Sequence, residues 1–253
     1  MKIADTKLIY STWTEIKEYL ETSKAIILPI GSTEQHGPTG AIGTDAITAE
    51  AVALRVGKLT NTIVAPILSY GMAQHHLGFP GTMSLRPSTF QLLIHDLVFS
   101  LAINGFQRIF LINGHGGNIA SVKAAFSEVY KTLEDKNFST TGQLKCKLVN
   151  WFLVPEIFRI SKDLYGDNEG QHATPSEIAI TLFQEPSLVS KNKKLPSPSP
   201  SGPIYDKNDF KKRYPDGRMG SLPHLAKPEH GELLLEKSAN IISKYLFDFI
   251  KEK

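Results

Sequence analysis

Histidines and carboxylates fall together in three short stretches of this 253-residue chain. The first is Gly31-Ser32-Thr33-Glu34-Gln35-His36-Gly37-Pro38, followed by Gly43-Thr44-Asp45. Glu34 and His36 are two positions apart, so an extended backbone points both side chains the same way. Asp45 stands at the start of a helical pattern, and the glycines between let the loop fold back tightly. One imidazole and two carboxylates form a mixed N/O donor set suited to Zn, Mn or Fe. Taken alone, the stretch also fits a helix-capping Asp45 beside a surface Glu34 and His36.

The second stretch is Asn113-Gly114-His115-Gly116-Gly117-Asn118, in which glycines bracket one histidine. That pattern serves sharp turning and close backbone approach. It lacks the Gly-x-Gly-x-x-Gly spacing and the trailing Lys-Ser/Thr of the nucleotide-binding loops, so a phosphate cradle is not supported. The third is Glu169-Gly170-Gln171-His172-Ala173-Thr174-Pro175-Ser176-Glu177. His172, in a loop, suits an acid/base or substrate-donor role, or that of a hydrogen-bonded loop histidine. Glu177, one turn into the next helix, suits a metal ligand, a general base, or a carboxylate complementing the helix dipole. If two ions bind, Asp45 is the natural bridge, since a carboxylate reaches both at about 3.5–4 Å separation. His75-His76 precede another polar loop, where pocket, core and surface roles all fit. No Gly-x-Ser-x-Gly elbow occurs, and Cys146 has no electropositive loop around it, so neither supports a serine or thiol nucleophile.

These side chains need a scaffold, and the apolar pattern supplies one. Runs 25–30, 62–68, 108–113 and 147–154 read as short strands, apolar on both faces. Helical patterns over 44–58, 88–104, 118–133, 175–182 and 229–251 lie between and after them, with Thr44 and Thr174 as expected N-caps. Alternation of this kind predicts a three-layer α/β/α sandwich around a mainly parallel sheet, in a single domain. Ligands of such sheets bind at the carboxyl ends of strands, where the first two stretches fall. Residues 195–202 form a Pro/Ser linker, and 195–230 as a whole reads as an irregular Pro/Gly-rich arm over the site or a neighbouring subunit.

Composition narrows the function. Hydrophobic residues at 41% and charged residues at 21% allow a sizeable core and exclude wholesale disorder. A net charge of +3, with Lys211-Lys212-Arg213 as the one dense basic cluster, gives no case for nucleic acid. A single cysteine forms no intrachain disulfide. The N-terminal residues lack a signal-peptide core, and no apolar run is long enough to span a membrane. The expectation is a cytoplasmic protein acting on a small molecule.

The stretches LPIGSTEQHGP, GTDA, FPGT, NGHGGN and HATPSE together resemble the creatininase (creatinine amidohydrolase) family, across about residues 25–180. YPDGRMGS and PEHG look like a creatininase-like branch rather than creatininase proper. The resemblance implies one domain over 1–253, a three-layer α/β fold, one or two divalent ions (Zn, Mn or Fe), and a ring-shaped homohexamer. It implies hydrolysis of a C–N amide-type bond, cyclic or linear and other than a peptide bond. Glu34, Asp45 and His115 would hold one metal, and His36 with the shared Asp45 the other. His172 matches a histidine assisting proton transfer. The family pattern departs at Gly117, where creatininase proper has an acidic ligand to the second metal. That ion would then be weaker, absent, or completed by Glu177. Creatininase proper also surrounds its flat substrate with aromatic rings, for which Tyr165 and Trp151 are the candidates here. Two rivals remain: a formamidopyrimidine-nucleotide deformylase-like activity, with Arg86, Arg213 or Arg218 binding phosphate, and a non-catalytic metal-binding protein.

Overall fold

The protein is described from a computed structural model that covers residues 6–138 and 142–252. Four strands form one all-parallel sheet: β1 Ala25–Ile30, β2 Ile63–Val64, β3 Arg108–Asn113 and β4 Lys145–Asn150, in the order β2-β1-β3-β4. Its helices are α1 Trp13–Thr22, α2 Thr44–Thr60, α3 Pro87–Ile103, α4 Ile119–Asp135, α5 Pro155–Tyr165, α6 Pro175–Gln184, α7 Lys207–Arg213 and α8 Pro228–Lys251. β1 and β3 are the two interior strands, and β1 has the more complete burial. All six residues of β1 are buried, and burying each large aliphatic stabilises by roughly 1.5–3 kcal/mol.

Strand alternation divides the core into two layers. Ile26, Leu28, Ile109 and Leu111 pack with α1, α3 and α4 on one face. Ile27, Phe110 and Ile112 pack with α2, α5, α6 and α8 on the other. The chain is therefore the expected three-layer α/β/α domain with a parallel sheet.

Differences in detail have local causes. The 62–68 run pairs as a strand only over Ile63–Val64, because Pro66 has no N–H for the ladder. The 147–154 run begins two residues earlier and turns into a 3-10 helix at Trp151–Leu153. Thr44 lies inside α2, where Gly43 is the N-cap, and its hydroxyl bonds the Ala41 carbonyl instead. α1 was not anticipated, although Thr12 and Glu15 close a reciprocal capping box at its start. Within the arm, α7 forms around fully buried Phe210. Among the described residues, no helix is long and apolar enough to cross a membrane.

Candidate metal centre

β1 and β3 end side by side, pairing Ile30 with Asn113, and both chains then turn through glycine. A Cβ at Gly31 would collide with the Ala46 backbone, and one at Gly114 with the Asp45 carbonyl. The two glycines thus let the first turn of α2 nest against the strand ends and bring Asp45 over the sheet edge. Asparagines strut the same corner. Asn118 donates to the Gly31 carbonyl (2.9 Å) and accepts from Met72 N–H (3.0 Å). Asn113 accepts from His115 N–H (3.1 Å) and donates to the Asn150 side chain (2.8 Å). Sequence reasoning gave neither asparagine a role, though both sit in the NGHGGN stretch.

The structure brings all of the anticipated donors to this corner. His36 Nε2 is 3.2 Å from Asp45 Oδ1 and 3.8 Å from Glu177 Oε2. His115 Nδ1 is 3.1 Å from Asp45 Oδ2, and its Nε2 is 3.2 Å from Glu34 Oε2. Two donor triads result, Glu34–Asp45–His115 and His36–Asp45–Glu177, sharing Asp45. Glu34, His36, Asp45 and His115 are buried, and Glu34 Oε1, His36 Nε2 and Asp45 Oδ2 have no hydrogen-bond partner. Buried polar atoms without partners are expensive. A divalent cation satisfies this mixture of imidazole and carboxylate, and the donor set fits Zn, Mn or Fe.

Each ring is already oriented. His36 Nδ1–H donates to the Glu34 carbonyl (3.1 Å), which bares Nε2. His115 Nε2–H donates to the Met72 carbonyl (2.9 Å), which bares Nδ1. Backbone anchors of this kind set the tautomer of metal-binding histidines. Glu177 divides its oxygens: Oε1 accepts from Thr174 N–H (2.6 Å) in a capping box, and Oε2 faces His36. The helix-capping and ligand readings of Glu177 are therefore compatible. Gly117 is packed against the Met72 carbonyl and the His115 ring, with which a Cβ would collide. Gly117 supplies no donor, and the carboxylate grouped with His36 and Asp45 is that of Glu177.

The charges answer one another. Burial opposes protonation of His36, but Asp45 and Glu177 outweigh it and hold its pKa well above the ordinary value. His115 is likewise pushed up to about 9 against burial, by Glu34 and Asp45. Burial would raise the Asp45 carboxyl, but His36 and His115 hold it below the usual range. Burial, reinforced by neighbouring histidines, keeps His172 and His76 well below the ordinary imidazole value.

His172 enters through its Nδ1, 3.7 Å from Glu34 Oε1, while its Nε2–H donates to the Gln35 carbonyl (2.8 Å). His76 was not singled out, yet it is buried with Nε2 3.2 Å from Glu34 Oε1. No sequence signal separated it from His75. The arm covers this side: Met219 bridges to His172, Ser221 Oγ donates to the His172 carbonyl (2.6 Å), and Phe210 stacks edge-on against His76.

A cavity of about 730 Å³ opens onto the donors, walled by Phe152, Leu153, Phe158, Ile204 and Met219. The aromatic candidates do not line it. Trp151 is buried with its Nε1–H toward Thr48 Oγ1 (3.3 Å), and Tyr165 pairs with His230 (2.9 Å). The three arginines considered for phosphate are absent from the lining as well.

The sequence profile described as "Creatininase: Creatinine amidohydrolase" matches residues 10–246. The chain belongs to the creatininase family. It is 27% identical to "Creatinine amidohydrolase" of Pseudomonas putida over 236 residues, which is 89% of this chain and 90% of that protein. It is 40% identical over 106 residues to "Mycofactocin precursor peptide peptidase" of Mycolicibacterium smegmatis. That match takes in 40% of this chain and 42% of the peptidase, so the chain spans less than half of that relative. The solved structure "Creatininase Mn" has the same fold, with a TM-score of 0.85 at 24% identity over 98% of this chain and 100% of that one.

Proposed function

We propose that this creatininase-family chain is a metal-dependent hydrolase that cleaves a C–N amide-type bond in a small molecule. One observation carries the reading: two buried donor triads share Asp45 and hold three polar atoms with no partner. Glu34, Asp45 and His115 would hold one ion, and His36, Asp45 and Glu177 a second. Bound ions would supply Lewis acidity for the amide carbonyl and acidify a water toward a pKa of about 7.

The chain's own groups do the rest. His172 has a bare Nδ1 turned to the site and stays neutral at pH 7, so it can take a proton and return it to the leaving nitrogen. Glu177 Oε2 faces His36 at the cavity wall, and with a single ion held by Glu34, Asp45 and His115 it would be free to hold a proton in transit instead of serving as a ligand. The apolar wall of Phe152, Leu153, Phe158 and Ile204 excludes water beside the reacting bond. "Mycofactocin precursor peptide peptidase" and "Creatinine amidohydrolase" both name amide cleavage, which supports the bond class.

The deformylase rival needs a basic pocket for phosphate. Arg218 is fully buried against Asp216, and Arg213 pairs with Asp209. Among the described residues, Lys162 is the one lysine or arginine lining the cavity, beside Glu34, Asp45, Asp167, Glu169 and Glu177. That charge balance favours an uncharged or basic amide. The family resemblance supports a homohexamer, which light scattering would check.

The test is metal analysis and turnover together. Protein purified without chelator should carry stoichiometric Zn, Mn or Fe. A panel of cyclic, linear and peptide amides should show turnover that chelation abolishes and metal restores. Absence of a stoichiometric divalent metal would sink the reading. A stoichiometric ion with no turnover of any amide would instead leave a non-catalytic metal-binding protein.

A further inference from the structure

Gln35 stands between the two proposed ligands of its loop, Glu34 and His36, and its carboxamide reaches three acceptors. Nε2 lies 2.8 Å from His76 Nδ1, 2.9 Å from His172 Nε2 and 3.0 Å from the Gly217 carbonyl. The amide's orientation is fixed, because Oε1 accepts from Gly37 N–H at 2.8 Å. An NH2 group has two hydrogens, so one of the three contacts receives none.

His172 resolves the choice. Its Nε2 is 2.8 Å from the Gln35 carbonyl, an oxygen that can only accept. That ring nitrogen therefore carries a proton and cannot also accept one. The two amide hydrogens of Gln35 go to the Gly217 carbonyl and to His76 Nδ1. A neutral His76 whose Nδ1 accepts must carry its proton on Nε2. Nε2 faces Glu34 Oε1 at 3.2 Å, a charge–dipole contact rather than an aligned hydrogen bond, since Oε1 has no hydrogen-bond partner.

We infer that His76 is a positioning residue. Its Nε2–H steadies the Glu34 carboxylate, and the Gln35 carboxamide fixes the tautomer that makes this possible. Ser32 Oγ–H donates to the other oxygen of Glu34 at 2.9 Å. The carboxylate is thus hydrogen-bonded at Oε2 and faces the His76 N–H dipole at Oε1, which leaves Oε1 free for an ion. The inference rests on the proposed role of Glu34 as a ligand.

The same atoms offer a rival. Glu34, His76 and His172 are close enough to hold a further ion. The tautomer argues against it, because a protonated Nε2 has no lone pair to give. Gly217 and Phe210 reinforce the arrangement from the arm. A Cβ at Gly217 would collide with the Gln35 carboxamide, and Phe210 lies 4.6 Å, centroid to centroid, from the His76 ring.

Two measurements test this. Long-range proton–nitrogen spectra of metal-free protein with labelled histidine should show His76 Nδ1 bare and Nε2 protonated, and zinc loading should leave that pattern intact. The opposite tautomer, or loss of the Nε2 proton when zinc is added, would overturn the inference. In metal titrations, His76→Phe should weaken binding at one site by about 10–100-fold, the range for lost second-sphere support. His76→Gln, which restores a donor near Nε2, should bind close to wild type. Equal affinity in wild type and His76→Phe would overturn the role. If the wild type takes up no ion at all, the reading of the site fails and the role with it, while the spectra still decide the tautomer.

Discussion

Two parts of this molecule bury charge, and they do so differently. In the arm, Arg218 is fully buried, yet every guanidinium nitrogen has a partner: Asp216 with Nε (3.0 Å) and Nη2 (2.6 Å), the Ser221 carbonyl with Nη1 (3.3 Å) and the Pro196 carbonyl with Nη2 (2.8 Å). At the strand ends, Glu34, His36 and Asp45 each keep a buried polar atom with no partner. A satisfied buried charge ties chain segments together, here 196, 216 and 221 of the arm. An unsatisfied one stores a demand that a ligand can meet. The difference separates a structural ion pair from a candidate site without reference to any relative.

Substitution should split the two regions cleanly. Asp45→Asn removes the shared donor charge. It should empty both triads and cost on the order of a thousandfold in turnover, since ion-borne charge stabilisation is worth several kcal/mol. Metal content by mass spectrometry and steady-state rates check it. A fully active Asp45→Asn protein would end the bridging role. Asp216→Ala should do the reverse: leave metal per folded molecule unchanged but destabilise by about 3 kcal/mol in urea unfolding, because Arg218 loses its counter-charge. Equal stability of the two proteins would mean that the arm's pair is not what holds it.

The comparison also has a pH signature. Without an ion, His36 and His115 stand in as the positive charge, with His115 raised to about 9. A raised folded pKa means the native state binds the extra proton. This contribution to stability is complete below the unfolded value of about 6.5 and fades as pH rises through about 9. Metal must displace those protons, so affinity should climb with pH toward about 9. Calorimetry in buffers of different ionisation enthalpy should show proton release near pH 7. Release of none would contradict the charge pattern. Asp216→Ala, which leaves the donors at the strand ends in place, should release the same number of protons on metal binding.

Legibility followed the same divide. β1 and β3 were readable to the residue, because strands buried on both faces leave uninterrupted apolar runs. That Glu34, His36, Asp45, His115 and His172 come together was legible, because glycines and strand ends announce loops built for close approach. His76 was not. Its role depends on Gln35, 41 positions away, and on a proton no pattern records. Trp151 misled for a related reason: position in the chain placed it at a strand end, but its side chain turns into the core. α7 was hidden because a seven-residue helix owes its existence to the burial of Phe210 rather than to propensity.

The smallest expected effect lies between the two regions. Glu169 lines the cavity, accepts from Ser176 Oγ, and has one oxygen buried without a partner. Burial pushes its carboxyl up to about 7, with the Ser176 hydroxyl opposing and the Glu177 charge adding. Here the native state prefers the protonated acid, so stability should fall as pH rises from about 4.5 through 7, opposite in sign to a salt-bridged carboxylate. Glu169→Gln keeps an acceptor for Ser176 and removes the ionisation. It should flatten that slope in metal-free protein and stabilise it by about 1–2 kcal/mol at pH 8, read as a rise in melting temperature. A slope that survives the substitution would assign the titration elsewhere. Glu169 would then resemble Arg218, a settled buried charge, rather than the unsettled carboxylates beside it.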